Sequence, residues 1–386
     1  MLVRDIPADL ILFFMLYGGV ALASLIACIY LCVRRGNSFA ADVTPPVALR
    51  RWAAAFFAVS FAGHVWWYLF YIYSGDIHSA GCAVLEMLDC VGILTTAAGM
   101  LFAMLQDRKR PLWPVILATI PFAIFEVLHM VYPEGRFIDM AAAYILLFYV
   151  LFSVYMVFAV RQYGRWLRDN YADLEHKEVW QSHALVIALL LLIVTYGFDS
   201  GDLTIGFLVQ LIGLVLIGFL LWRIETLPQL TETVSAEQAI APSPAEEARE
   251  TTARETHLPT HEKKTFTIPS NIEQLLEERC VGTRLYLQHD LTIQQVAQAI
   301  GINRFYLSQY FSSHGTTYNA YINNLRINHF VSLYRETVQT NQSIVAQQLA
   351  SDSGYRSYST FSLAFKQRMG KSVTAWMRNT AKEQAL

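Results

Sequence analysis

Leu291-Thr292-Ile293-Gln294-Gln295-Val296-Ala297-Gln298-Ala299-Ile300-Gly301-Ile302-Asn303-Arg304-Phe305-Tyr306-Leu307 is the stretch on which the whole chain turns. Ile293, Val296, Ala297 and Ile300 recur at helical spacing, so one face of a short helix is apolar. Thr292 stands where an N-cap belongs, and Gly301 where a helix stops. Asn303 then caps a second helix, whose buried side carries Tyr306, Leu307, Tyr310 and Phe311. Two short helices about a glycine-containing turn make a helix-turn-helix, whose second helix enters the DNA major groove.

The pattern returns nearer the C-terminus. Leu349 and Ala350 close a helix, Gly354-Tyr355 turns the chain, and Ser357 to Arg368 form another helix with Phe361 and Phe365 inward. A helix from about Asn319 to Glu336 joins the two motifs. A single helical hairpin is weak evidence for DNA binding, and two in tandem on one connecting helix are far more specific.

These residues resemble the DNA-binding domain of the AraC/XylS family of bacterial transcription regulators. The likeness is carried by Ala297 and Gly301, Tyr306-Leu307 with Phe311, Leu325-Arg326-Ile327, Gly354-Tyr355, Ser359-Thr360-Phe361, Phe365-Lys366 and Gly370, and covers roughly the last 110 residues. Val373 departs from the usual proline and Tyr355 from the commoner phenylalanine. The resemblance implies that Phe305, Ser308 and Gln309 face bases in the first recognition helix, and Tyr358, Ser359 and Ser362 in the second. Arg304, Arg356 and Lys366 are placed for phosphates, which position a protein on DNA without reading sequence.

Charge follows the same division. Residues 270–386 hold 11 Lys and Arg against 7 Asp and Glu, a net basic segment in a chain whose formal net charge is −2. That balance suits a phosphate-facing domain. Residues 225–269 hold 4 against 8 and include Ala241-Pro242-Ser243-Pro244-Ala245-Glu246-Glu247, the composition of a flexible tether.

Residues 1–224 hold nearly all the apolar excess behind a mean hydropathy of +0.34. Seven apolar runs occur, at about 10–33, 52–74, 80–105, 112–132, 137–160, 183–200 and 203–224. Most approach the ~20 residues that cross a bilayer as a helix. The first reads as a span and not as a cleaved leader, because it is long, lacks a basic start and is followed by Arg34-Arg35. The run at 183–200 is the shortest, and a rival count of six has it only partly inserted. Loops on one side carry Arg34, Arg35, Arg50, Arg51, Arg108, Lys109, Arg110, Arg161, Arg165, Arg168, Lys177 and Arg223, and the other side only Arg4 and Arg136. The positive side faces the cytoplasm. The N-terminus is therefore expected outside, and the C-terminal domain inside with the chromosome. Trp66, Trp67, Tyr68, Tyr71 and Tyr73 read as an interfacial aromatic belt. The amphipathic stretch 161–182 reads as a helix on the inner membrane surface, with signal transmission as the alternative.

Ionisable residues inside a bilayer are costly and usually functional. Here they are His64, Glu86, Asp89, Glu126 and His129, all toward the outer leaflet. Structural pairing, an outward-open ligand or proton-sensing pocket, and a metal site are the three readings. No phosphate-binding glycine loop, nucleophile elbow or cysteine metal motif is present, and no Lys lies within the runs. Ser60 and His64 resemble part of the motif of seven-helix zinc hydrolases, but later histidines that family needs are lacking. No catalytic residue, metal or cofactor is expected.

The expected architecture is all-α: a seven-helix transmembrane bundle (1–224), a cytoplasmic linker (225–269) and a C-terminal all-α domain with two helix-turn-helix motifs (270–386). It describes a DNA-binding regulator in the bacterial inner membrane. A receptor signalling through a protein partner and a membrane hydrolase are the alternatives. The partners on this reading are promoter double-stranded DNA, membrane lipid, a small signal and, as an open alternative to a monomer, a second copy in a homodimer. Reporter fusions after Ile77 and Gly201 are expected to behave as extracytoplasmic, and those after Asp107, Asp173 and Leu230 as cytoplasmic. A cytoplasmic signal at Gly201 removes one span from this count.

Overall fold

Helices account for 81% of the residues that the computed structural model describes, namely 7–34, 37–40, 43–73, 80–132, 135–175, 177–188, 203–230, 271–340 and 345–384; no strand occurs among them. The chain divides into two compact units. One comprises Met1–Gly164 with His176–Leu230, the other Arg165–Glu175 with Thr231–Leu386.

The first unit contains α1 (Ala8–Val33), α2 (Val47–Tyr73), α3 (Ala80–Met104), α4 (Trp113–Ala118), α5 (Ile120–Val131), most of α6 (Gly135–Asn170) and α7 (Leu203–Thr226). Among the described residues, six helices are long and apolar enough to cross a membrane, with α4 and α5 together forming one of them. The run expected at 183–200 is helical at 183–188, and its remainder lies outside the described residues, as does 231–270 of the linker. The expected single helix at 112–132 is instead broken at Thr119, because Pro114 and Pro121 each begin a new helix and Pro121 has no N–H to continue the first. α3 is the most buried of the six and packs on α2 and α5. α2 and α3 approach through small residues: a Cβ on Gly99 would meet the Trp52 ring at 2.4 Å.

The second unit contains α8 (Ile272–Leu276, continued by a π turn to Val281), α9 (Ile293–Ile300), α10 (Arg304–Ser313), α11 (Tyr318–Gln339), α12 (Ala346–Asp352), α13 (Tyr358–Met369) and α14 (Val373–Gln384). Thr292 and Gln295 form a reciprocal capping box at the start of α9, and Gly301 ends it at φ 76°. The Asn303 side chain accepts the Phe305 N–H, and Ser357 accepts the Thr360 N–H, so both second helices begin on a side-chain cap. Two apolar clusters result. The first holds Val296, Ala297, Leu307, Phe311, Tyr318 and Ile322; the second holds Ile327, Phe330, Tyr334, Phe361 and Phe365. α11 serves both.

Residues 161–182 do not form one surface helix. α6 runs on to Asn170, residues 171–175 leave the helix, and Arg165–Glu175 pack with the C-terminal unit. The physical reason is burial: Ala172, 1% exposed, completes the first cluster, an outcome that an amphipathic pattern permits as readily as a lipid surface does.

Gly354 carries the tightest turn. Its φ is 88°, and a Cβ there would lie 2.7 Å from the Leu287 carbonyl oxygen. Gly315 has φ 64° with nothing near. Gly354→Ala is expected to cost about 2–4 kcal/mol, from backbone strain plus overpacking. Gly315→Ala is expected to cost only the strain, about 1–2 kcal/mol, in denaturant titrations of the same protein.

Candidate nucleic-acid interface and polar helix cluster

Helical periodicity decides which side chains of α10 remain outside. Leu307 and Phe311 are buried, so Phe305 lies on the outer side, 56% exposed, while Ser308 on the flank and Arg304, one turn before Leu307, are half-buried. Gln309 is half-buried and its Oε1 meets no hydrogen-bond donor. On α13, Phe361 and Phe365 turn inward, and Tyr358, Ser359, Ser362 and Lys366 remain at the surface or half-buried. Of the residues on α10 and α13 that the sequence assigns to bases and phosphates, Phe305, Tyr358, Ser359 and Lys366 are exposed, and Arg304, Ser308, Gln309 and Ser362 are half-buried.

Three features of this face had no counterpart in the sequence reading. Leu363 is 61% exposed on α13, beside Ser359 and Ser362. Its place two residues beyond buried Phe361 was the available signal, since that offset lies on the opposite helix face. An apolar side chain there suits the methyl group that thymine presents in the major groove. Arg304 donates to the Asn170 side chain, and Thr360 donates to Glu175 at 3.0 Å. Arg356 lies 3.1 Å from Asp290, both side chains being well exposed, so the pair contributes little and yields readily to a phosphate. Away from this face, burial pushes the Cys280 thiol up to about 11, which keeps it an inert packing group at neutral pH.

The two motifs are fixed to each other by polar contacts beneath the surface. Arg326 of α11, fully buried, donates to the carbonyls of Tyr286 and Gln288 at 2.7 Å each and to the Asp173 carboxylate at 2.7 Å. His289 Nδ1 lies 3.1 Å from the Gly354 carbonyl oxygen.

Within the first unit, the five ionisable residues singled out in the sequence fall into two neighbourhoods. His64 places Nδ1 2.7 Å from the Ser60 carbonyl and Nε2 3.1 Å from Gln210 Oε1 on α7. Tyr17 of α1 packs against it, ring centroids 4.5 Å apart and planes tilted by 46°, and its hydroxyl donates to the His64 carbonyl oxygen. The Trp67 side chain hydrogen-bonds Asp89, whose Oδ1 fills the space a Cβ on Gly63 would need. In the second neighbourhood, Glu86 accepts from Cys82 and lies within electrostatic reach of Glu126 and His129. Glu126 is 2% exposed with one carboxylate oxygen unpartnered, and His129 Nδ1 is likewise buried without a partner. No group of three His, Cys, Asp or Glu among the described residues is arranged to hold a metal ion. Tyr17 and Gln210 carry no charge at neutral pH and so draw no notice in the sequence, and Trp67 reads there only as part of the aromatic belt.

A family model described as a helix-turn-helix domain matches residues 296–379, the stretch from α9 into α14. The match supports a DNA-binding transcription regulator domain at the C-terminus. No curated protein and no solved structure matches the chain.

Arg356→Ala is expected to weaken binding on every sequence and to reduce the slope of log affinity against log salt by about 1. Gln309→Ala is expected to lose about 1–3 kcal/mol at one base pair and to relax choice there. Wild-type binding by both variants on specific and random duplexes refutes these assignments.

Proposed function

We propose that the chain is a membrane-bound, sequence-specific DNA-binding transcription regulator of the AraC/XylS kind. In this reading its apolar unit senses a signal and its C-terminal unit binds a promoter. The observation that carries it is the pair of capped helices α10 and α13, held on one connecting helix in a chain whose described residues include six helices long enough to span a bilayer. Phe305, Ser308 and Gln309 read one element and Tyr358, Ser359 and Ser362 the other, while Arg304, Arg356 and Lys366 hold the backbone. The loop-charge asymmetry supports a cytoplasmic C-terminal unit in a bacterial inner membrane.

Sensing is assigned to the group formed by His64, Glu86, Asp89, Glu126 and His129. Buried carboxylates and imidazoles must be paired, protonated or met by a ligand. His64 and Asp89 have neutral hydrogen-bond partners, and Glu126 and His129 each keep a buried polar atom without one. The second neighbourhood is therefore the better place for a proton or a small polar signal.

Selection of random duplexes by the full-length protein in lipid nanodiscs tests the DNA reading. Two short enriched elements about one helical turn (~10 base pairs) apart are expected; no enrichment refutes it. In cells carrying the selected promoter on a reporter, Glu126→Gln and His129→Ala are expected to reach normal membrane levels with a locked or pH-shifted response. An unchanged response in both refutes the sensing site.

A further inference from the structure

Residues 165–175 continue directly from the apolar helix α6, yet they belong to the compact C-terminal unit. They are held there as tightly as a bound peptide. Tyr171 pairs antiparallel with Thr292, and the Ala172 N–H donates to the Leu291 carbonyl at 3.0 Å. Asn319, at the start of α11, donates its side-chain amide to the carbonyls of Tyr171 and Ala172. One oxygen of Asp173 accepts from buried Arg326, and the other accepts the Asp290 N–H at 2.8 Å.

The ends of the segment reach both recognition helices. Asn170 accepts from Arg304, the first residue of α10, and Glu175 accepts from Thr360 in the first turn of α13. The first turn of a recognition helix is where a helix-turn-helix protein meets DNA, and free helix N-termini attract phosphates. Here a side-chain amide holds the arginine assigned to a phosphate, and a carboxylate stands at the second helix's start. Both oppose an incoming polyanion.

We propose that Arg165–Glu175 is an intramolecular latch. Docked, it competes with DNA for the first turns of α10 and α13; drawn off through α6, it releases them. The proposal rests on the reading of those helices as DNA-facing. Undocking strips Arg326 of its carboxylate partner, so it does not proceed unaided, and the apolar unit supplies the drive. Linkage makes the competition reciprocal: DNA must loosen the latch by the factor by which the latch weakens DNA binding.

The test uses full-length protein in lipid nanodiscs, with random-sequence duplexes at low salt as the probe, because the contacts in question are to phosphate. Asn170→Ala combined with Glu175→Ala removes both contacts to the recognition helices and leaves Asp173, Arg326 and the Ala172 pairing intact. Its DNA affinity is expected to rise about tenfold, one or two charge-assisted hydrogen bonds' worth. Saturating the wild type with DNA is expected to speed hydrogen exchange in peptides covering 171–175. Unchanged or weaker DNA affinity in the double variant overturns the latch, and so does slower exchange of 171–175 on adding DNA. Absence of binding by wild type and variant alike overturns the DNA reading itself, and the latch with it.

Discussion

A guanidinium removed from water constrains everything around it. Arg326 has no exposed side-chain surface, and three protein oxygens satisfy it: the Tyr286 and Gln288 carbonyls and the Asp173 carboxylate. Its charge also lies 5.4 Å from the centre of the Tyr355 ring. Removing one member of such a buried pair costs about 3–5 kcal/mol, because the remaining charge is left uncompensated. Lysine cannot replace it, since one ammonium lacks the planar fork that reaches three acceptors in different directions. Arg326 sits on α11 just where that helix passes from the first apolar cluster (Tyr318, Ile322) to the second (Ile327, Phe330, Tyr334). One side chain thereby joins the loop before α9, the second motif's turn and the segment leaving α6.

That arrangement bears on how two short DNA elements are read together. If the motifs were joined by α11 alone, a few degrees of bending would shift one recognition helix relative to the other. The loop at 285–290 prevents this. It gives carbonyls to Arg326, sets Asp290 against Arg356, lies against the Gly354 carbonyl through His289, and packs so closely on Gly354 that no side chain fits there. On the proposed DNA-binding reading, specificity for a spaced pair of half-sites would follow from rigidity, since each misplaced helix forfeits its own contacts.

The local signals in the sequence were reliable because they are local. Thr292 and Asn303 cap as expected, Ser357 proves to be the cap of the helix it was expected to begin, Gly301 adopts the left-handed backbone, and α11 spans both clusters. The break between α4 and α5 was also legible in Pro114 and Pro121, had hydropathy not joined the two into one run. What the sequence hid was long-range. Asp173 and Arg326 are 153 positions apart, and no periodicity links them. The amphipathic stretch at 161–182 says only that one face needs cover; lipid and protein satisfy that need equally, and burial of Ala172 decides it. His64 was noted as ionisable, whereas its partner Gln210, being neutral, left no mark in an apolar helix.

The bonds on the two sides of the recognition helices differ in their response to salt. Asp173 and Arg326 lie almost wholly out of water, so mobile ions screen their attraction little. Contacts to DNA phosphates are made against a counterion atmosphere and weaken steeply as salt rises. A latch held from within and a ligand held from without therefore respond unequally to the same medium. Near physiological ionic strength the balance shifts toward the docked segment, since DNA's hold fades and the latch's does not. Bringing a two-state element from almost wholly docked to almost wholly released takes about 5.5 kcal/mol of differential binding. DNA alone supplies less of that as salt rises, and the remainder falls to whatever acts on the apolar unit. On the proposed reading, a regulator built this way would gain a low basal activity from a buried ion pair, without any change in the residues assigned to the bases.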